Sequence, residues 1–317
     1  MDKAFFYSHL QQVLDALGPV VAVIAIGYLM RRTRFPGESF WSAAERLTYY
    51  VFFPALLVRH LADAGFADRA VGPLLASVLA LLGAGTVVVF LLRPCLKTDD
   101  PGFTSVYQGT IRFNTYIGVA VSAALFGEPG LTAAAVVIAP LIPLVNVLSV
   151  AVLVRGTGRA EARAGASFAA IVRNPLILAC VLGVLLDLTE IGLPTGTQTV
   201  VDILSRPALP LGLLAVGAGL HLHAAIGRPG LLFATSGLKL VLMPALALAA
   251  AWMSDLDAAT SRALVLFAAL PGATSAYILA RQMGGDEKLM AALITLQHGL
   301  AMITMPVVII LLMMLPG

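Results

Sequence analysis

The chain has 317 residues, of which 59% are hydrophobic and only 12% charged, with a formal net charge of +3. A soluble domain carries about 25% charged residues. This chain cannot cover itself with a polar surface, and it reads as an integral membrane protein lying in a lipid bilayer. The basic residues are dispersed over short loops, so no nucleic-acid partner is expected. Cys95 and Cys180 have no metal-ligand spacing and read as unpaired.

In chain order, apolar stretches run over 13–30, 43–61, 71–92, 105–126, 131–154, 167–187, 198–220, 230–252, 260–281 and 290–314. About 20 helical residues cross a hydrocarbon core, and these lengths fit. Phe5 to Leu17 reads either as part of the first span or as a short surface helix. The fold expected is all-α, with ten transmembrane helices in two five-helix halves. The halves are 1–155 and 167–317, joined by a central loop at 156–166. An odd number of spans per half gives the halves opposite topology, a common construction of alternating-access carriers.

Basic residues set the orientation. One set of loops holds Arg31, Arg32, Arg34, Arg46, Arg93, Lys97, Arg155, Arg159, Arg163, Arg173, Arg228, Arg281 and Lys288, 13 in all; the other holds Lys3, Arg59, Arg69, Arg206 and Arg262, 5 in all. The richer side is expected to be cytoplasmic. Both termini then lie outside the cytoplasm, and the protein belongs in the cell inner membrane. The opposite side is the more acidic, with Asp63, Asp68, Glu128, Asp187, Glu190, Asp202, Asp255 and Asp257.

Two spans are interrupted. The fourth carries Gly109-Thr110-Ile111-Arg112-Phe113-Asn114-Thr115-Tyr116-Ile117-Gly118, and the ninth Leu270-Pro271-Gly272-Ala273-Thr274-Ser275-Ala276-Tyr277. Broken backbone at membrane depth is tolerated only inside protein or beside water, and it offers free amides and carbonyls to a ligand. Helices 4 and 9 are therefore expected to break near Asn114 and Pro271, with the two breaks approaching each other.

The candidate substrate-binding residues lie on or near these breaks. Arg112 stays charged and is costly in hydrocarbon unless paired or wet; it reads as an anion anchor, an internal ion pair or a snorkelling side chain. Gln108 lies one turn before it. Asn114 and Thr115 follow at the break, and Asn146 follows Pro140 and Pro143 in the fifth span. Lys239, near the middle of the eighth span, is a substrate contact, a structural pair or a deprotonated amine. Thr274, Ser275 and Tyr277 follow Pro271, and Gln297 and His298 lie in the tenth span. His298 reads equally as a proton carrier or a packed neutral donor. His221 and His223 have no Cys/Asp/Glu cluster beside them, so no metal site is expected. No cofactor is expected either. The coupling ion, H+ or Na+, stays open. There is no HExxH, Walker A, GxSxG or Rossmann glycine pattern, and the chain does not read as an enzyme.

The chain resembles the auxin efflux carrier family in its prokaryotic branch. The resemblance rests on Tyr50-Val51-Phe52-Phe53-Pro54-Ala55, on Arg112 through Gly118, on Arg173-Asn174-Pro175 and on Leu270 through Ser275. It covers essentially the whole chain. It implies a fold related to bile-acid/sodium symporters, with two inverted five-span repeats, a scaffold part and a transport part. Asn114 and Pro271 would mark the crossing of helices 4 and 9. Plant members export an indole carboxylate, and bacterial members are often associated with malonate or malate or have no assigned substrate. The long central loop of many plant members is missing here, so their phosphoregulation does not carry over.

The leading function is secondary transport of a small organic anion by alternating access. The alternatives are a sodium-coupled symporter of a larger amphipathic acid and a ligand-sensing membrane domain without transport. A homodimer is an assembly that this reading allows.

Overall fold

The computed structural model describes residues 3–66, 71–157, 173–220 and 228–314. Asp68, Arg69, Arg159, Arg163, His221, His223 and the central loop beyond Thr157 lie outside the described residues. All described regular structure is helical. In chain order it comprises α1 (Lys3–Arg32), α2 (Glu38–Leu47), a π-helical turn (Thr48–Phe52), α3 (Phe53–Leu61), α4 (Val71–Leu92), α5 (Asp100–Ile111) and α6 (Thr115–Thr157). It continues with α7 (Pro175–Leu188), α8 (Thr195–Ser205), α9 (Ala208–Ala218), α10 (Pro229–Gly237), a second π-helical turn (Leu238–Leu242), α11 (Met243–Met253), α12 (Ala258–Ala269), α13 (Ser275–Met283) and α14 (Glu287–Met314).

Among the described residues, six helical stretches are long and apolar enough to cross a membrane: Gln11–Arg32, Val71–Cys95, Asp100–Gly156, Thr195–Ala218, Pro229–Met253 and Glu287–Met314. Pro175–Leu188 and Ala258–Ala269 are shorter apolar helices. Phe5 to Leu17 belongs to the continuous helix α1 and does not form a separate surface helix. The described part of the expected span 167–187 becomes helical only at Pro175. There the Asn174 side chain accepts the Leu176 N–H at 2.9 Å, and proline occupies the first helical position. In α6, Gly127 turns the chain with φ 61°, a conformation that glycine adopts without strain.

The two π turns share a cause. Thr48–Phe52 is centred four residues before Pro54, and Leu238–Leu242 four residues before Pro244. A proline removes the hydrogen bond to the carbonyl four residues back and crowds it. A local π turn widens the helix where that crowding falls. Pro19 in α1 and Pro306 in α14 lie in continuous helix, so proline permits this turn without enforcing it.

The chain divides into two compact units. The first holds 1–72, 116–142 and 172–219; the second holds 73–115, 143–171 and 220–317. In the first unit, α1 lies against α9 at backbone contact. A side chain at Gly27 would run into the Leu214 backbone, and one at Gly217 into the Ile24 backbone. Small residues at such crossings let helices approach in a membrane, where the hydrophobic effect does not drive them together. At the carboxyl end of α3, Arg59 pairs with Asp202, the Asp187 carboxylate accepts the Gly65 and Phe66 N–H groups at 2.7 and 2.6 Å, and His60 lies 3.7 Å from Glu128. In the second unit, α5 packs against α10, α13 and α14. Ser105 donates to the Asp286 carbonyl at 2.9 Å, and the Asp286 N–H donates to the Pro101 carbonyl at 3.2 Å.

The α1–α9 contact generates a test. Gly217→Ala forces α1 and α9 apart and should cost about 1–3 kcal/mol by overpacking. Gly18→Ala, a helical site with open space around it, should leave stability unchanged or raise it by up to about 1 kcal/mol. Thermal unfolding of both variants in detergent checks this; equal melting temperatures would show that the contact is loose.

Candidate functional site

Both interruptions marked in the sequence are breaks in helical hydrogen bonding, and both lie in the second unit. α5 begins with Asp99 accepting the Gly102 N–H and runs 12 residues; Arg112 then turns extended, at φ −80° and ψ 149°. α12 begins with Asp257 accepting the Thr260 N–H and also runs 12 residues; Leu270 turns extended, at φ −65° and ψ 149°. Pro271 explains the second break, because the residue before a proline is pushed out of the helical region. No proline acts at the first. There the Asn114 N–H leaves its helix and donates to the Pro271 carbonyl at 2.9 Å, so each break supplies a partner to the other.

Gln297 joins the same two breaks from α14. Its Oε1 accepts the Gly272 N–H at 2.9 Å, and its Nε2 donates to the Gly109 carbonyl at 2.9 Å. In an unbroken α5 that carbonyl would take the Phe113 N–H. A Cβ at Gly272 would come within 2.8 Å of the Gln297 oxygen, so a side chain there would push the amide away. In His298, the next residue, Nδ1 lies 2.7 Å from the Ile294 carbonyl oxygen. A carbonyl only accepts, so Nδ1 carries the proton and Nε2 of a neutral ring is an acceptor. The Asn114 amide then donates to Nε2 at 3.2 Å.

The charged side of the site is less enclosed. Arg112, 8% exposed, donates from Nη1 to Asn146 Oδ1 at 2.9 Å and from Nη2 to Ser275 Oγ at 3.1 Å. Three segments therefore meet at one guanidinium: the first break, α6 and the start of α13. Thr115, Thr274 and Tyr277 are half-buried beside these segments. Gln108 does not join Arg112. It is fully buried, and neither amide atom has a hydrogen-bond partner among the described residues. Lys239, in the π turn, is also fully buried; its Nζ has no hydrogen-bond partner among the described residues and lies 6.0 Å from the Phe113 ring centroid. Phe113 in turn meets Phe267 of α12 edge to face at 5.6 Å.

All the candidates named from sequence fall in the second unit. A surface groove of about 570 Å³ lies elsewhere, in the first unit, lined by Gln11, Gln12, Asp15, Ala16, Pro19, Val20 and Ala124. Its carboxylate, Asp15, already accepts from Gln11 at 2.9 Å, and none of the candidates lines it. The buried polar groups at the breaks therefore mark the site better than this groove does. Sequence reasoning found Gln297 but missed its double duty toward the backbone. The one available signal was a glutamine in an otherwise apolar helix, and it does not say which groups the amide will meet.

These features define an all-α, multi-span membrane protein with two interrupted helices meeting inside one unit. A family model described as "Membrane transport protein" matches residues 165–309, a stretch that holds Lys239, the Pro271 break, Gln297 and His298. The chain is also similar to an uncharacterized transporter of Methanothermobacter thermautotrophicus, at 25% identity over 300 residues, covering 90% of this chain and 94% of that protein. Both likenesses are to transport proteins and neither is to an enzyme.

Gln297→Leu should leave the Gly272 N–H and the Gly109 carbonyl without partners, at about 1–3 kcal/mol for each. Thermal unfolding together with hydrogen exchange of peptides covering 270–275 checks this. Wild-type protection at the Gly272 amide in the leucine variant would show that another group takes over.

Proposed function

We propose that the protein is a secondary carrier of small organic anions, with Arg112 as the anchor for a substrate carboxylate. One observation carries this reading: a nearly buried guanidinium sits at the mutual break, held by the neutral oxygens of Asn146 and Ser275. These two oxygens orient the fork. A carboxylate can replace either of them as a stronger, charge-assisted acceptor. Thr115, Thr274 and Tyr277 are near enough in sequence to line the same place, whereas Asn114, Gln297, His298 and Pro271 hold the backbone that shapes it. The likeness to transporters supports the class, and the resemblance to auxin efflux carriers supports a carboxylic acid such as malonate, malate or an indole acid.

The architecture that goes with this reading is ten spans in two inverted repeats, 1–155 and 167–317, in the cell inner membrane. Its support is the pairing of α5 with α12: equal length, an aspartate cap at the start and an extended residue at the end. Alternating access then switches the break between the two faces of the membrane.

Titration calorimetry with malonate, malate and indole-3-acetate tests the anchor. Arg112→Gln should weaken binding about 10- to 150-fold, the worth of one charge-assisted hydrogen bond. Arg112→Lys should rescue poorly, because an ammonium lacks the planar fork. Unchanged affinity for every acid in a folded variant would defeat the assignment. Single-cysteine labelling at Asp2, Glu161 and Gly317 tests the topology: the first and last should label from outside and the middle one from the cytoplasm. External labelling of position 161 would overturn it.

A further inference from the structure

Of the polar side chains named at the breaks, Gln108 and Lys239 have no hydrogen-bond partner among the described residues, and of these two only Lys239 is ionisable. Lys239 is fully buried, and among the described residues its amine has no hydrogen-bond partner and no ion pair includes it. Its neighbour is the face of the Phe113 ring at 6.0 Å, a weak substitute for an acceptor. The placement is specific. A Cβ at Gly109 would lie 3.5 Å from the Thr235 methyl, and one turn further on Phe113 faces Lys239, so α5 and the α10–π segment run side by side into the break. Phe113 is flanked in sequence by Arg112 and Asn114. The amine thus faces the ring of the residue that follows the proposed anion anchor in the chain.

The elements packed against the π turn are α5, α10, α11, α12 and α14. Neither α10 nor α11 has an acidic, basic, histidine or tyrosine residue. α5 contributes Asp100, paired with Arg93 at 2.6 Å, and Tyr107, bonded to Thr86 at 2.9 Å; Arg112 follows it. α12 contributes Arg262. α14 contributes Glu287, which lies 3.8 Å from Arg281, with Lys288 and His298; His298 is engaged by Asn114 and the Ile294 carbonyl. A mobile negative charge is therefore what the amine lacks, and a bound substrate carboxylate supplies one.

We propose that Lys239 is the coupling site of the carrier: its amine takes up one proton when an organic anion settles at the break and releases it when the anion leaves. The anion and the proton then cross together. The proton comes from water on the side where the anion enters, adds to the Nζ lone pair, and returns to water on the other side. A negative charge settling near the amine favours its protonated form by Coulomb attraction, by a factor on the order of tenfold or more at an effective dielectric constant of about 20. Linkage is reciprocal, so protonation of Lys239 tightens anion binding by the same factor. This inference rests on the anion reading of the site and adds to it the identity of the coupling ion.

The test is titration calorimetry of the purified full chain with malonate in two buffers of different ionisation enthalpy, repeated with malate and indole-3-acetate. At mildly alkaline pH the wild type should take up a large fraction of one proton per anion, and its affinity should fall by less than tenfold per pH unit as pH rises. Lys239→Met should bind with no proton uptake. Lys239→Arg, permanently charged, should bind with no uptake and with little dependence on pH. Binding without proton uptake by the wild type, or uptake by Lys239→Met equal to that of the wild type, overturns the coupling assignment while leaving the anion site standing. Absence of binding by all three acids overturns the anion reading itself, and the coupling assignment with it. Absence of proton uptake by the wild type overturns the assignment even if neither variant folds.

Discussion

A backbone that stops being helical inside a membrane must find a partner for each group that it frees. The second unit meets this constraint by exchange. The Asn114 N–H is satisfied by the Pro271 carbonyl, and the Gly109 carbonyl and Gly272 N–H are both taken by the Gln297 amide. One side chain and one backbone bond therefore hold two breaks in register. The surrounding choices follow from that. Glycine at 272 leaves room for the amide, and neutral His298 accepts from Asn114. Arg112 is left facing side-chain oxygens, with the backbone repair assigned to other residues.

The division of labour has a functional meaning. Groups that repair the backbone are buried and engaged on both sides, so a ligand could claim them only by undoing the break. The guanidinium is instead held by side chains from α6 and α13 that can turn away without disturbing any helix. Under the carrier function proposed above, this arrangement keeps the exchangeable contacts separate from the structural ones.

Legibility in the sequence followed the physics of each residue. The break at Pro271 was readable, because proline lacks a donor and acts on its immediate neighbours. The break at Arg112 through Asn114 was readable only as a polar interruption, since no residue there forbids a helix; its geometry depends on a partner 157 positions away in the chain, Pro271. Gln297 and His298 could be named as polar residues in an apolar helix. Whether an amide meets a ligand or a backbone depends on packing, which composition does not encode. The π turn around Lys239 was invisible, because the same proline spacing gives continuous helix around Pro19 and Pro306. That the chain is built of apolar helices was legible, because length and hydropathy are local quantities; among the described residues six stretches are long and apolar enough to cross a membrane.

The π turns carry a consequence for how the chain tolerates changes of length. A π turn holds one residue more than the α turn that it replaces. Removing a single residue from Leu238–Leu242 would let the turn close to ordinary α geometry, with the flanks α10 and α11 keeping their relative orientation. The same deletion within α5 would rotate everything beyond it by about 100° and carry Asn114 away from Pro271. The helix that bears Lys239 therefore stores a spare residue, and the helix that bears Arg112 has none to give up.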